Sequence, residues 1–223
     1  MLPEGLSLEV EGWFKTMDHL REYGGHAMLY PPLEQWERNY PEGKGMAYGA
    51  DVALNYDTEK TDISVAYTLS WTKRKFDTLH PEWFLNWNDN RHKVTITVTH
   101  RFSDRFDIYG SWNFKNGNRL SVNPYDVGVH LNMSHAPYKG WSSASGSFYN
   151  VQLPPYHRLD LGMNFRKTTK RGNESIWNVS FYNVYCRMNP IYAEIRKDDN
   201  GNEYGVGIGI IPIIPSFSYT LKF

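Results

Sequence analysis

Six of the eight histidines, His80, His92, His100, His130, His135 and His157, are the first candidates for metal or proton chemistry. A transition-metal site needs converging ligands, and its usual sequence sign is a tight spacing such as His-x-x-x-His. These six are scattered and show no such spacing. Serines are plentiful, but no Gly-x-Ser-x-Gly elbow accompanies them, and a triad is a spatial constellation that sequence order alone does not assign. Cys186 is the one cysteine, which excludes an intramolecular disulfide and a cysteine metal cluster. Asp198-Asp199-Asn200-Gly201-Asn202 is acidic but lacks the alternating carboxylates and closing Glu of a calcium loop. It reads as a hairpin turn. No catalytic residue, metal or cofactor is therefore assigned, and the chain is read as something other than an enzyme.

The remaining candidates are binding residues. Arg101, Arg158, Asp160, Asn164 and Arg166 fall on the polar side of alternating segments, where they would line an interior wall and contact a plug, ions, water or ligand. Trp36, Trp83, Trp87 and Trp141 lie in long connections. Such rings stack on sugars or cofactor rings, although packing of loops on one another is their default role. His100 and His157 read as polar rings near strand ends.

The elements that would position these residues are strands. Apolar and polar residues alternate along Gly5–Met17, Gly45–Asp57, Asp62–Lys73, His92–Phe102, Arg105–Lys115, Tyr156–Lys167 and Ser175–Tyr185, and an eighth segment runs from about Tyr204 to Phe223. Period-two alternation gives each strand one apolar and one polar face. A soluble sandwich would turn the apolar face inward, whereas a membrane barrel would turn it toward lipid. Aromatic residues make up 16% of the chain while its mean hydropathy is only −0.60, the combination a barrel with aromatic girdles and a polar lumen requires. Trp13, Tyr48, Tyr67, Trp71, Trp112 and Tyr219 are expected in those girdles. The net charge is zero, without basic or acidic blocks, which argues against a nucleic-acid partner.

The connections separate the two architectures. Those near Glu59-Lys60, Ser103-Asp104 and Gly172-Asn173 are short. Those over Asp18–Lys44, Arg74–Arg91, Asn116–Pro155 and the Asp198–Asn202 tip are long. Short and long alternate strictly, as in membrane barrels with tight periplasmic turns and long outer loops. Both chain ends then lie on the periplasmic side. Phe217, Tyr219, Leu221 and Phe223 share a face and the chain stops on an aromatic, which resembles the signal read by the barrel-assembly machinery through strand pairing. Pro212 and Pro215 imply a bulge or irregular entry, with the spanning part after Pro215. Met1-Leu2-Pro3-Glu4 does not open a signal peptide, which suggests a fragment of an exported protein.

Three stretches carry a more specific likeness: Leu153-Pro154-Pro155-Tyr156-His157-Arg158-Leu159-Asp160-Leu161; Trp177-Asn178-Val179-Ser180-Phe181-Tyr182-Asn183-Val184-Tyr185 followed by Asn189-Pro190; and Ile213-Ile214-Pro215-Ser216-Phe217-Ser218-Tyr219. Asn90-Arg91-His92, Gly43-Lys44-Gly45 and Tyr48-Gly49 add to it. Together, over nearly the whole chain, they resemble the C-terminal barrel of TonB-dependent outer-membrane receptors of the sort common in Bacteroidetes. The resemblance implies an all-β, antiparallel transmembrane β-barrel, with this chain supplying about the last eight strands of 22. It implies residence in the bacterial outer membrane among lipid and uptake of a scarce nutrient (siderophore, corrinoid, peptide or glycan). In the full-length protein a plug domain and TonB are the implied partners, and a surface lipoprotein is a further one. On this reading residues 1–223 hold barrel only, without plug or signal peptide.

Two other readings stand beside it. One is a self-contained eight-stranded barrel with a structural or adhesive role. Small polar-face residues, Ala47, Gly49, Ala53, Ser64, Ala66, Ser70, Thr95, Thr97, Thr99 and Gly162, favour a wall facing a plug over a small barrel filled by its own side chains. The other is a soluble sugar-binding sandwich.

Overall fold

The computed structural model describes residues 3–22, 40–78, 80–120, 151–169, 172–197, 199 and 203–223. Strands are β1 (Leu6–Arg21), β2 (Glu42–Asp57), β3 (Thr61–Phe76), β4 (His80–Leu85), β5 (His92–Ser103), β6 (Phe106–Lys115) and β7 (Arg119–Leu120). The series continues with β8 (Val151–Gln152), β9 (Tyr156–Thr168), β10 (Glu174–Tyr182), β11 (Tyr192–Lys197), β12 (Glu203–Ile208) and β13 (Ile214–Lys222). The described residues contain no helix.

Eight strands form one antiparallel sheet in the order β1-β2-β3-β5-β6-β9-β10-β13, with β4 attached to β3. This is a meander, each long strand pairing with the next one in the chain. The register explains the alternation. Leu8 pairs with Leu54, Leu54 with Val65, Val65 with Ile96, Ile96 with Trp112 and Trp112 with Leu159, so the apolar positions of successive strands fall on one face. The short turns β2–β3, β5–β6 and β9–β10 lie at one end of the sheet, and the long connections lie at the other.

Among the described residues β1 pairs only with β2, and β13 only with β10. The eight strands are thus an open sheet, not the closed eight-stranded barrel that the sequence also allowed. Among the described residues no second layer covers the sheet, unlike a sandwich. Its apolar face stays open: Val10 is 70% exposed, Phe14 68% and Phe217 63%. Among the described residues only Ala47, Phe76, Phe84 and Leu153 form a buried apolar set, while eight buried residues are polar, from Ser70 to Asn189. That inverts the soluble rule that apolar side chains fill the inside.

Several boundaries differ from the sequence reading. β1 runs on to Arg21 through an irregularity after Met17, where His19 adopts φ 55°. The seventh segment stops at Tyr182, because Asn183 adopts φ 55° and turns the chain. The eighth is two elements: β12 pairs with β11 as a hairpin off the main sheet, and β13 enters the sheet at Ile214. Residues 209–213, with Pro212, form the irregular entry. Strands β4, β7, β8 and β11 inside the long connections carry too little alternation to be read from sequence. His130, His135, Trp36, Trp141 and most of the Asp198–Asn202 tip lie outside the described residues.

Candidate functional site: a polar wall between aromatic rims

The apolar face is bounded at both ends by rings. Tyr48 and Tyr56 on β2, His92 and His100 on β5, Phe106 and Phe114 on β6, and His157 and Phe165 on β9 share one interval of eight residues. Eight residues span about 27 Å along a strand. With a tilt near 40° that becomes roughly 20 Å across the sheet, close to the apolar band of an outer-membrane barrel. The rings of the short-turn rim meet in sequence: Phe102 and Phe106 lie 5.5 Å apart, Phe106 and Phe165 4.8 Å, and Trp177 and Tyr219 4.6 Å. At the far rim Tyr48 stacks on Trp71 at 5.3 Å. Tyr48, Tyr67, Trp71, Trp112 and Tyr219 all stand on this face. Phe217, Tyr219 and Leu221 alternate along the same face of β13, with Phe223 fully exposed.

Trp13 is a correction. It pairs with Gly49 on the polar face, and its indole N–H donates to Asp51 at 2.7 Å. The parity of Val10 and Phe14 already excluded it from the apolar face. A Cβ at Gly49 would press on the Trp13 ring, so glycine there makes room for it.

The polar wall is built as neutralised clusters. Arg158 donates to Asp160 at 2.9 Å and to the hydroxyls of Tyr156 at 2.9 Å and Tyr182 at 2.6 Å, and its guanidinium lies 4.0 Å from the Tyr182 ring. Asp160 also accepts the Asn183 backbone N–H at 2.8 Å. Nearer the short turns, Arg166 pairs with Asp107, which also accepts from Asn164 at 2.7 Å. Asn178 joins Asn164 at 2.8 Å and the Tyr109 hydroxyl at 3.0 Å. Tyr109 lies across Gly162, where any Cβ would overlap its ring. Gly162 is small because a neighbouring ring occupies its space. Arg101 pairs with Asp62 at 3.0 Å beside the β2–β3 turn. The five polar residues singled out in the sequence therefore fall into three separate clusters on one face. Tyr109, Tyr156, Tyr182, Asn178 and Asp107 complete them.

The outer ends of the strands are closed by side-chain amides acting as extra backbone. Asn189 accepts from the His157 N–H at 3.0 Å and donates to its carbonyl at 2.9 Å. Asn116 accepts from the His92 N–H at 2.8 Å, and Asn90 donates to the Asn116 carbonyl at 2.7 Å. Asp89, nearly inaccessible, accepts the Thr72 N–H at 2.8 Å, while Arg91 covers the Trp71 ring at 4.7 Å. The Asn90-Arg91-His92 and Asn189-Pro190 motifs thus serve as rim closures. At this rim partial burial holds the Tyr185 phenol above its ordinary range. Among the described residues no three His, Cys, Asp or Glu side chains converge as a metal site.

No profile of a known protein family matches the chain, and no curated protein matches it in sequence. One solved structure shares its fold. It is FpvA of P. aeruginosa, described in complexes with heterologous pyoverdines and iron, with a TM-score of 0.52 at 12% identity. The match covers 98% of this chain and 25% of FpvA. The fold of this chain is that of β-barrel wall. FpvA is a TonB-dependent receptor, and at this identity the likeness is one of fold. The chain spans about a quarter of that protein's length.

Proposed function

We propose that this chain is wall of an outer-membrane receptor barrel for TonB-energised uptake of a scarce nutrient, its apolar face on lipid and its polar face on the lumen. The observation that carries this reading is the inverted sheet: an exposed apolar face between two aromatic rims, backed by a hydrogen-bonded polar face. In lipid every backbone group needs a partner, so the open edges of β1 and β13 require further strands. Those strands would complete a 22-stranded barrel around a plug, with TonB supplying energy. Two of the motifs that resemble the Bacteroidetes receptors, Asn90-Arg91-His92 and Asn189-Pro190, supply the rim closures described above. Arg101, Arg158, Asp160, Asn164 and Arg166 would stiffen the lumen wall, and Phe217, Tyr219, Leu221 and Phe223 would be read by the assembly machinery.

The test compares a strain lacking the protein with a strain lacking TonB. Each is grown with a ferric chelate, a corrinoid, a peptide or a glycan as the limiting nutrient. Loss of growth on the same nutrient in both strains is the expected result. Growth of the first strain on all of them, at wild-type rates, would overturn the transport reading.

A further inference from the structure

Positive charges on the polar face of β2 to β10 meet carboxylates, with one exception; the two facing carboxylates Asp57 and Asp62 beside the β2–β3 turn share Arg101. Asp107 has Arg166, Asp160 has Arg158, Asp62 has Arg101 and Glu174 has Lys222. Asp51 receives Trp13 and Thr68. Lys93 and Lys115 are different. They are direct cross-strand partners on this face, and neither meets a carboxylate among the described residues. Like charges directly opposite on adjacent strands are unfavourable. Lys115 is held by the Asn118 side-chain oxygen at 3.3 Å and lies 5.7 Å from the centre of the Tyr156 ring. Lys93 is exposed.

Their height matters as much as their charge. Lys93 is the second residue of β5 and Lys115 the last of β6, so both stand at the end where the long connections gather. The neutralised clusters of Arg166 and Arg101 lie deeper, toward the short turns. The cations of the wall are thus neutralised in depth, and a paired positive charge stands at its mouth with an aromatic ring beside it.

Resting on the reading of the polar face as the lumen wall, we propose that Lys93 and Lys115 form an anion-accepting site at that mouth. Its ligand bears a carboxylate or phosphate group. Two ammonium groups on neighbouring strands reach two oxygens of one anion through charge-assisted hydrogen bonds. Binding removes the repulsion between them, so the site is stabilised by its occupant. The Tyr156 ring offers an apolar flank to whatever carries the anion.

The test maps lysine acylation by mass spectrometry on the full chain in detergent micelles. It uses a membrane-impermeant reagent, without and with citrate or inorganic phosphate at constant ionic strength. Lys93 and Lys115 should react freely without anion and about tenfold more slowly with citrate, phosphate or both, the factor expected from one charge-assisted contact. Protection by one probe and not the other assigns the anion type. Lys44, Lys75 and Lys222, each beside a carboxylate, should not change. Lys93→Gln should abolish protection of Lys115. Equal slowing of every lysine, or free reaction of the pair unaffected by either anion, overturns the site and leaves the lumen reading standing. Failure of the pair to react at all without anion overturns both.

Discussion

Leu161 stands midway between His157 and Phe165, four residues from each along β9. It is flanked by Gly110 and Phe181 and is 38% exposed. If the apolar face meets hydrocarbon, this is the bilayer midplane. An arginine there should cost about 2–4 kcal/mol, falling to roughly 0–1 kcal/mol near either rim. That is a loss of roughly 30- to 900-fold in the folding equilibrium at the midplane. A series of single arginines at His157, Leu159, Leu161, Met163 and Phe165 should therefore give a peaked profile. Thr97 faces the other way on β5 and is exposed, so Thr97→Arg should stay within about 0.5 kcal/mol. The assay is reversible guanidinium unfolding in lipid vesicles, followed by tryptophan fluorescence. Thinner bilayers should narrow the peak. A flat profile, or a penalty at Thr97 equal to that at Leu161, would refute the reasoning.

Arg166→Met should destabilise by about 1–3 kcal/mol, since it strands the Asp107 carboxylate. This lies below the roughly 3–5 kcal/mol of a fully buried broken pair because the Arg166 side chain is 33% exposed and water screens it. An unchanged guanidinium midpoint would contradict it. Gly162→Leu should cost about 1–3 kcal/mol by displacing the Tyr109 ring. In a Tyr109→Ala background the same change should cost much less, and an equal cost in both backgrounds would remove the ring from the explanation. Asn183→Gly keeps the positive φ and loses only the side-chain bonds, those donated to the Arg187 and Ile211 carbonyls and the one accepted from the Arg187 N–H. Asn183→Ala loses both, and the two should differ by about 1 kcal/mol or more. Indistinguishable midpoints would show that the backbone conformation is unstrained.

The long strands were legible because a half-exposed sheet imposes strict alternation, as along Val94-Thr95-Ile96-Thr97-Val98, and because short turns interrupt it at regular places. Open-edged topology was not legible, since an isolated strand reads the same in a closed barrel, an open wall or a sandwich. Trp13 lies near a strand end as the rim rings do, but its opposite parity to Phe14 places it on the polar face. The eighth segment looks continuous in sequence because residues on both sides of the gap are apolar and β-prone, and the break at Pro212 separates β12 from β13. The polar clusters were half visible. Arg158 and Asp160 share a face by spacing alone, but their partners Tyr182 and Asn183 sit more than twenty positions away. That contact depends on register, which single-sequence alternation does not supply. The roles of Asn90, Asn116 and Asn189 were hidden for the same reason, since a side-chain amide that completes a ladder looks like any loop asparagine until the strand beside it is known.

The most direct measurement is a nitroxide scan along β9 in lipid bilayers, with single cysteines at 158 to 165 in a Cys186→Ser background. Labels at 159, 161, 163 and 165 should collide with dissolved oxygen and be shielded from a water-soluble nickel chelate, while labels at 158, 160 and 164 should show the reverse. Opposite phase, or no alternation at all, would mean that hydrocarbon does not lie against the greasy side of this sheet.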